Sequence, residues 1–214
     1  MEESMKVRPI IMGAESVQAI LDGRKIMTRR VVNPQPEWFP EVVSTSLSSG
    51  LVWPLTSFGG QCGMPLKQKY HIGDLLWVRE TWTEATPYQN SAVYKATYEY
   101  PQDFTHDWKS PIYMPRWASR ITLEITDIRV ERVQEICWDD CIREGVCSLT
   151  LPEDLGNQEL YEWLEKKSAP RPLIKSIEDL RESYRVAWND LNAKRGYSWK
   201  SNPWVWVLTF KVVS

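Results

Sequence analysis

Histidine is almost absent from this chain: there are 2 in 214 residues. His71 and His106 stand alone in loop-like segments, which argues against a Ser–His–Asp machine. Four cysteines are too few for a disulfide scaffold of this size. Cys137-x3-Cys141-x5-Cys147 lacks the paired CxxC knuckle of a zinc site and has no histidine nearby in sequence, so core cysteines and no metal are expected. A phosphate-cradling glycine loop, HExxH and GxSxG are all missing. No apolar run reaches the ~18 residues that a membrane span needs. The start, Met1 to Lys6, is polar and lacks a secretory apolar core. Reduced thiols in a cytoplasm are the expectation. Charge of one sign is also lacking: the net value of −2 excludes a protein that coats nucleic acid by charge alone.

Hydrophobic residues make up 43% and charged residues 25%, the proportions of a globular protein with a real core. The length suits one domain over residues 1–214, carrying insertions at approximately 33–69 and 149–173. Tryptophan is abundant, 12 against 4 phenylalanines, and indole is a good surface for stacking a base. The near-neutral total also hides a segregation. Glu135 to Glu165 holds nine acidic residues and one basic, a balance of −8, so the remainder carries +6. Such a chain can present a basic face while staying neutral overall.

Along the chain, Lys6–Met12 reads as a first strand and Ala14–Asp22 as a helix stopped by Gly23. Asn33–Lys69, rich in proline, serine and glycine, reads as a long loop with little regular structure. Leu75–Trp82 reads as a strand with Ala92–Tyr98 as its partner, and Tyr100–Met114 as a further insertion. Ile121–Val133 is a long strand whose apolar phase slips near Asp127, which indicates a bulge. Short helices are expected at Asp139–Glu144, capped by Asp139, and at Asn157–Lys167. A longer one spans Ser176–Arg195, with Ile177, Leu180, Tyr184, Ala187 and Leu191 as its buried stripe. Trp204–Val213 is apolar on both faces and therefore central in its sheet. Strands without βαβ alternation, mixed with helices, point to an α+β fold: a small mixed or antiparallel barrel decorated by helices.

Four short motifs set cations beside indoles. Gly23-Arg24-Lys25-Ile26-Met27-Thr28-Arg29-Arg30 follows the first helix. Trp77-Val78-Arg79-Glu80-Thr81-Trp82 places Trp77 and Arg79 on one face of a strand and Glu80 and Trp82 on the other. Met114-Pro115-Arg116-Trp117-Ala118-Ser119-Arg120 enters the long strand, and Asn202-Pro203-Trp204-Val205-Trp206 enters the last. Each alone is weak, and a basic cluster after a helix end is ordinarily just a solvated turn. Together they put Arg and Trp at the ends of several strands, where the mouth of a barrel lies.

This ordered set (GRKxxTRR, GDxLWVRETW, MPRWASRITL, NPWVWVLTF) resembles the ASCH-domain proteins of bacteriophages and prophages, within the PUA-like superfamily. The resemblance runs from about Val7 to Val213. It implies a PUA-like (ASCH) mixed β-barrel with helices and long loop insertions, and recognition of RNA or a modified nucleotide without a cofactor. One branch of small ASCH proteins hydrolyses the amide of N4-acetylcytidine with a Lys, a Thr three residues later and a downstream Glu. Those positions match Lys25, Thr28 and Glu144. Another branch is linked to ribonuclease activity, and a non-catalytic reader is the remaining alternative. The resemblance makes Arg29, Arg30, Trp77, Arg79, Glu80, Trp82, Arg116, Trp117 and Arg120 candidate ligand-binding residues. In the catalytic case Thr28 is the nucleophile or orients a water. Lys25, crowded by Arg24, Arg29 and Arg30, is expected to lose its proton readily and act as base.

Overall fold

The structure, a computed structural model, describes residues 5–36, 44–48, 51–55, 66–67, 69–86, 89–98, 107–146 and 177–214. Ten strands fall in these segments: β1 (Val7–Ile11), β2 (Met27–Val31), β3 (Ser44–Ser48), β4 (Leu51–Leu55), β5 (Leu66–Lys67), β6 (Leu75–Arg79), β7 (Trp82–Thr86), β8 (Gln89–Tyr94), β9 (Thr122–Arg132) and β10 (Trp204–Val212). The helices are α1 (Ala14–Leu21), α2 (Trp138–Arg143) and α3 (Ile177–Asn192).

A mixed five-stranded sheet, ordered β1-β6-β9-β10-β2, organises the fold. Only β1 and β6 run parallel; the other pairs are antiparallel. The edge strands meet through a side chain rather than a ladder: Arg30 of β2 donates to the carbonyl of Ile11 in β1 at 2.7 Å. The α+β arrangement of a mixed sheet decorated by helices is therefore what the strand and helix signals of the sequence led to.

Strand alternation divides the core in two. Ile10, Leu76, Val78, Leu123, Ile125 and Trp206 lie on one face with Val17 and Ile20 of α1. Val205 and Val207, on the opposite face of β10, pack with Met27, α2 and α3. That is why β10 is apolar on both sides, and it is central, between β9 and β2. Burying each of its large side chains is worth about 2 kcal/mol. The bulge expected near Asp127 is present: Thr209 pairs with Asp127 but Phe210 pairs with Ile125, leaving Thr126 without an opposite residue.

Several sequence expectations need correction. The strand at Leu75 ends at Arg79, and Trp82 begins a separate hairpin in which β7 pairs with β8. Within Asn33–Lys69, β3, β4 and β5 form a small antiparallel sheet. Cys137, not Asp139, is at the N-cap of α2; Asp139 instead holds Arg143 one turn on, at 2.8 Å. The buried stripe of α3 is Leu180, Tyr184, Trp188 and Asn192, while Leu191 is 70% exposed. The stripe repeats every four residues, so it drifts away from Ala187 and Leu191. The helix expected at Asn157–Lys167 and the insertion at 149–173 lie outside the described residues. No helix among the described residues is long and apolar enough to cross a membrane.

Candidate functional site

Gly145 decides how the end of α2 meets the turn between α1 and β2. Its φ is +76°, in the left-handed region, and a Cβ there would sit 2.8 Å from the Ala19 Cβ and 2.9 Å from the Lys25 Cβ. Only glycine lets the chains approach this closely. The approach is secured by the Ile26 amide on the Arg143 carbonyl at 2.9 Å. It brings Glu144 onto Lys25. The Lys25 Nζ donates to the Glu144 carbonyl at 2.8 Å and to its Oε2 at 2.7 Å.

Arg29 takes the other carboxylate oxygen, its Nη1 lying 3.2 Å from Glu144 Oε1. Its Nε and Nη2 donate to Glu131 Oε1 at 2.9 and 2.5 Å, and Nη2 also reaches Asp140 Oδ2. Arg129 joins the same two acids, through Nε on Glu131 Oε2 at 2.9 Å and Nη2 on Asp140 Oδ2. Tyr184 of α3 closes the cluster, with the Arg29 guanidinium 5.9 Å from its ring centre. Lys25, Arg29 and Arg129 thus face Glu131, Asp140 and Glu144, three cations against three carboxylates. Removal from water is affordable here because every charge has opposite-charge partners.

Burial is the main cause that lowers the Lys25 pKa; the Glu144 carboxylate opposes it, and Arg30 and Arg29 add only the smaller push. The expectation that crowding by cations leads the effect is corrected accordingly. Arg24 pairs with Asp22 at 2.8 Å and also reaches the Gly145 carbonyl at 3.5 Å. Burial also holds the Tyr184 phenol well above its ordinary value, with Glu144 adding to the rise.

Thr28 is buried, but on the other side of the sheet. It pairs with Leu208, in the core on the α1 side, whereas Arg29 pairs with Val207, in the core beneath α2 and α3. Cross-strand partners share a face. Among the described residues Thr28 makes no hydrogen bond to Lys25 or Glu144. Arg30 shares the face of Thr28 and also lies 3.1 Å from the Met12 Sδ.

The remaining motif residues gather elsewhere. Glu80 is 1% exposed, and both of its oxygens are held by Arg120 at 2.9 Å. The Arg120 guanidinium lies 4.0 Å from the Tyr94 ring centre. This forked pair joins the residue after β6 to the segment before β9 and engages both carboxylate oxygens. Trp82 is 2% exposed and packs edge-on to Trp117 at 5.7 Å. Trp77 is half-buried, with the guanidiniums of Arg79 and Arg116 at 4.9 and 5.7 Å from its ring centre. Trp117 remains 47% exposed.

Sequence reading missed Arg129, Glu131 and Asp140. The signal of the first two was present in Ile128-Arg129-Val130-Glu131: two charges alternating with apolar residues inside a long strand. Register then sets Arg29, Val207 and Arg129 in one row across β2, β10 and β9. Cys141 packs in the core beneath α2, and burial pushes its thiol up to about 12. Cys137 is exposed. Cys62 and Cys147 lie outside the described residues. Among the described residues no group of three or more His, Cys, Asp or Glu side chains is arranged to hold a metal ion.

No family model matches the chain, and no curated protein matches it. Its structure is similar to the high-resolution crystal structure of an ASCH domain from Lactobacillus crispatus JV V101, at 13% identity and a TM-score of 0.37, over 97% of this chain and 80% of that one.

Proposed function

We propose that this is an ASCH-type, PUA-like domain that binds RNA or a modified nucleoside at the junction of α1, β2 and α2. The observation that carries the reading is the buried contact of Lys25 with Glu144, three residues before Thr28. The motifs of the resemblance require just these residues.

A sharper form of the reading is hydrolysis of an N4-acylated cytidine. Burial lowers the Lys25 pKa and so eases the loss of its proton, as a general base requires. Lys25 would take the proton of the Thr28 hydroxyl, or of a water held by it. The oxygen adds to the acyl carbon, and the carbon–nitrogen bond breaks. The cytosine amine leaves with that proton, and water releases the acid from Thr28 where an ester has formed. Two observations favour the non-catalytic reader instead. Thr28 faces away from Arg29, and both Glu144 oxygens are already engaged. Acetate release from N4-acetylcytidine separates the two, measured for wild type, Lys25→Ala, Thr28→Ala and Glu144→Ala. Release by wild type that each substitution abolishes establishes the hydrolase. Binding of the nucleoside without release leaves the reader, and neither binding nor release overturns the site.

A further inference from the structure

Among the described residues, no helix covers one half of the sheet on the side away from α1. Over β2 and β10 that side is covered by α2 and α3. Over β1 and β6 it shows Val7 and Ile11, 53% and 44% exposed, beside the half-buried Trp77 and Arg79. The segment Ser110–Ser119, two 3-10 turns, runs along the end of this surface. It is held to β6 by the Arg79 Nε on the Met114 carbonyl at 3.0 Å and the Ser119 hydroxyl on the Val78 carbonyl at 2.9 Å. From it project Tyr113, 75% exposed, Arg116, exposed, and Trp117.

Several cations of this protein are paired with acids, while others, Arg132 and Arg181 among them, lie on indole rings. Lys25, Arg29, Arg120, Arg129 and Lys211 each rest on a carboxylate. Among the described residues Arg79 and Arg116 have none. They are held instead on the Trp77 ring, and Arg116 adds only a long 3.4 Å contact to the Thr122 hydroxyl. Two positioned cations without counter-ions call for an anion. Two exposed aromatic rings on a segment hydrogen-bonded to β6 call for flat apolar partners. A chain that alternates phosphates with bases supplies both.

We infer that Trp77, Arg79, Tyr113, Arg116 and Trp117 form a docking surface for single-stranded nucleic acid, with phosphates at the two guanidiniums and bases on Tyr113 and Trp117. The inference rests on the nucleic-acid reading above and deepens it: the ligand is a strand, longer than one nucleoside, and reaches well beyond Lys25.

The test is fluorescence anisotropy with labelled RNA and DNA strands of about ten nucleotides, within the usual span of a single-strand site. Wild type, Arg116→Gln and Tyr113→Ala are titrated over a range of salt. Both substitutions are at exposed positions, and circular dichroism checks that each variant folds. Wild type is expected to bind at least one of the two strands, and the stronger of them identifies the source. Arg116→Gln should weaken binding and flatten the slope of log K against log salt by about 0.7, one phosphate contact on a single strand. Tyr113→Ala should weaken binding about fivefold or more and leave the slope unchanged. Wild-type affinity and slope in both variants would overturn the surface. So would failure of wild type to bind either strand, and binding of polyglutamate in their place would assign the surface to an acidic protein. Binding or cleavage of N4-acetylcytidine by wild type, measured in parallel, reports separately on the Lys25 site, so failure here is distinguishable from failure of that reading.

Discussion

Replacing Glu144 by glutamine removes the one carboxylate that Lys25 and Arg29 share, at 2.7 and 3.2 Å, in a site where all three side chains are 5% exposed or less. Each charge-assisted hydrogen bond is worth about 1.5–3 kcal/mol, so the two together set a gross loss of about 3–6 kcal/mol. Two effects reduce it. The Glu144 backbone carbonyl still accepts from Lys25, and glutamine keeps one acceptor oxygen. Arg29 also retains Glu131 and Asp140. A ceiling comes from the escape open to Lys25, which can shed its proton. At pH 7 that costs an ordinary lysine about 4.6 kcal/mol, and less where the pKa is already lowered. The expected destabilisation is about 3 kcal/mol, at the low end for orphaning a buried charge. Urea unfolding reads it directly, and for a chain of this size the midpoint of thermal unfolding should fall by roughly 6–12 °C. Lys25→Met in the Glu144→Gln background should recover part of the loss, because the orphaned ammonium is then gone. A loss below about 1 kcal/mol, with no coupling between the two substitutions, would refute the buried pair.

Glu80→Gln should cost about 2 kcal/mol in urea unfolding, less than Glu144→Gln, because the orphaned Arg120 is about a quarter exposed and water can solvate it; an equal or larger cost would contradict that ranking. Cys141 keeps its proton in the folded state up to about 12 and loses it from about 9 when unfolded. Its contribution is therefore full below pH 9 and is lost as pH rises toward 12, by at most about 1.4 kcal/mol per unit. Urea midpoints from about pH 8 to about pH 10.5 should fall more steeply for wild type than for Cys141→Ala, and parallel curves would reject the assignment. On α3, Trp188→Ala should cost about 3–5 kcal/mol and Leu191→Ala less than about 0.5, since one side chain is 4% and the other 70% exposed. Similar losses at the two positions would restore the stripe expected from sequence.

What the sequence by itself determined is local. The two apolar faces of Trp204–Val212 made β10 central, and the slip in apolar phase placed a bulge near Asp127, because strand periodicity is written residue by residue. The spacing of Lys25 and Thr28, and their resemblance to a known motif, was equally legible. Tertiary structure decided what these residues do. Register across β2, β10 and β9 set Arg29 in a row with Arg129 and turned Thr28 to the other face. The close approach at Gly145 carried Glu144, 119 residues away, onto Lys25. Packing also sorted indoles that look alike in sequence, burying Trp82 and leaving Trp117 exposed. Pairing of distant charges and exposure depend on which segments meet in space, and one chain's local pattern does not contain that information.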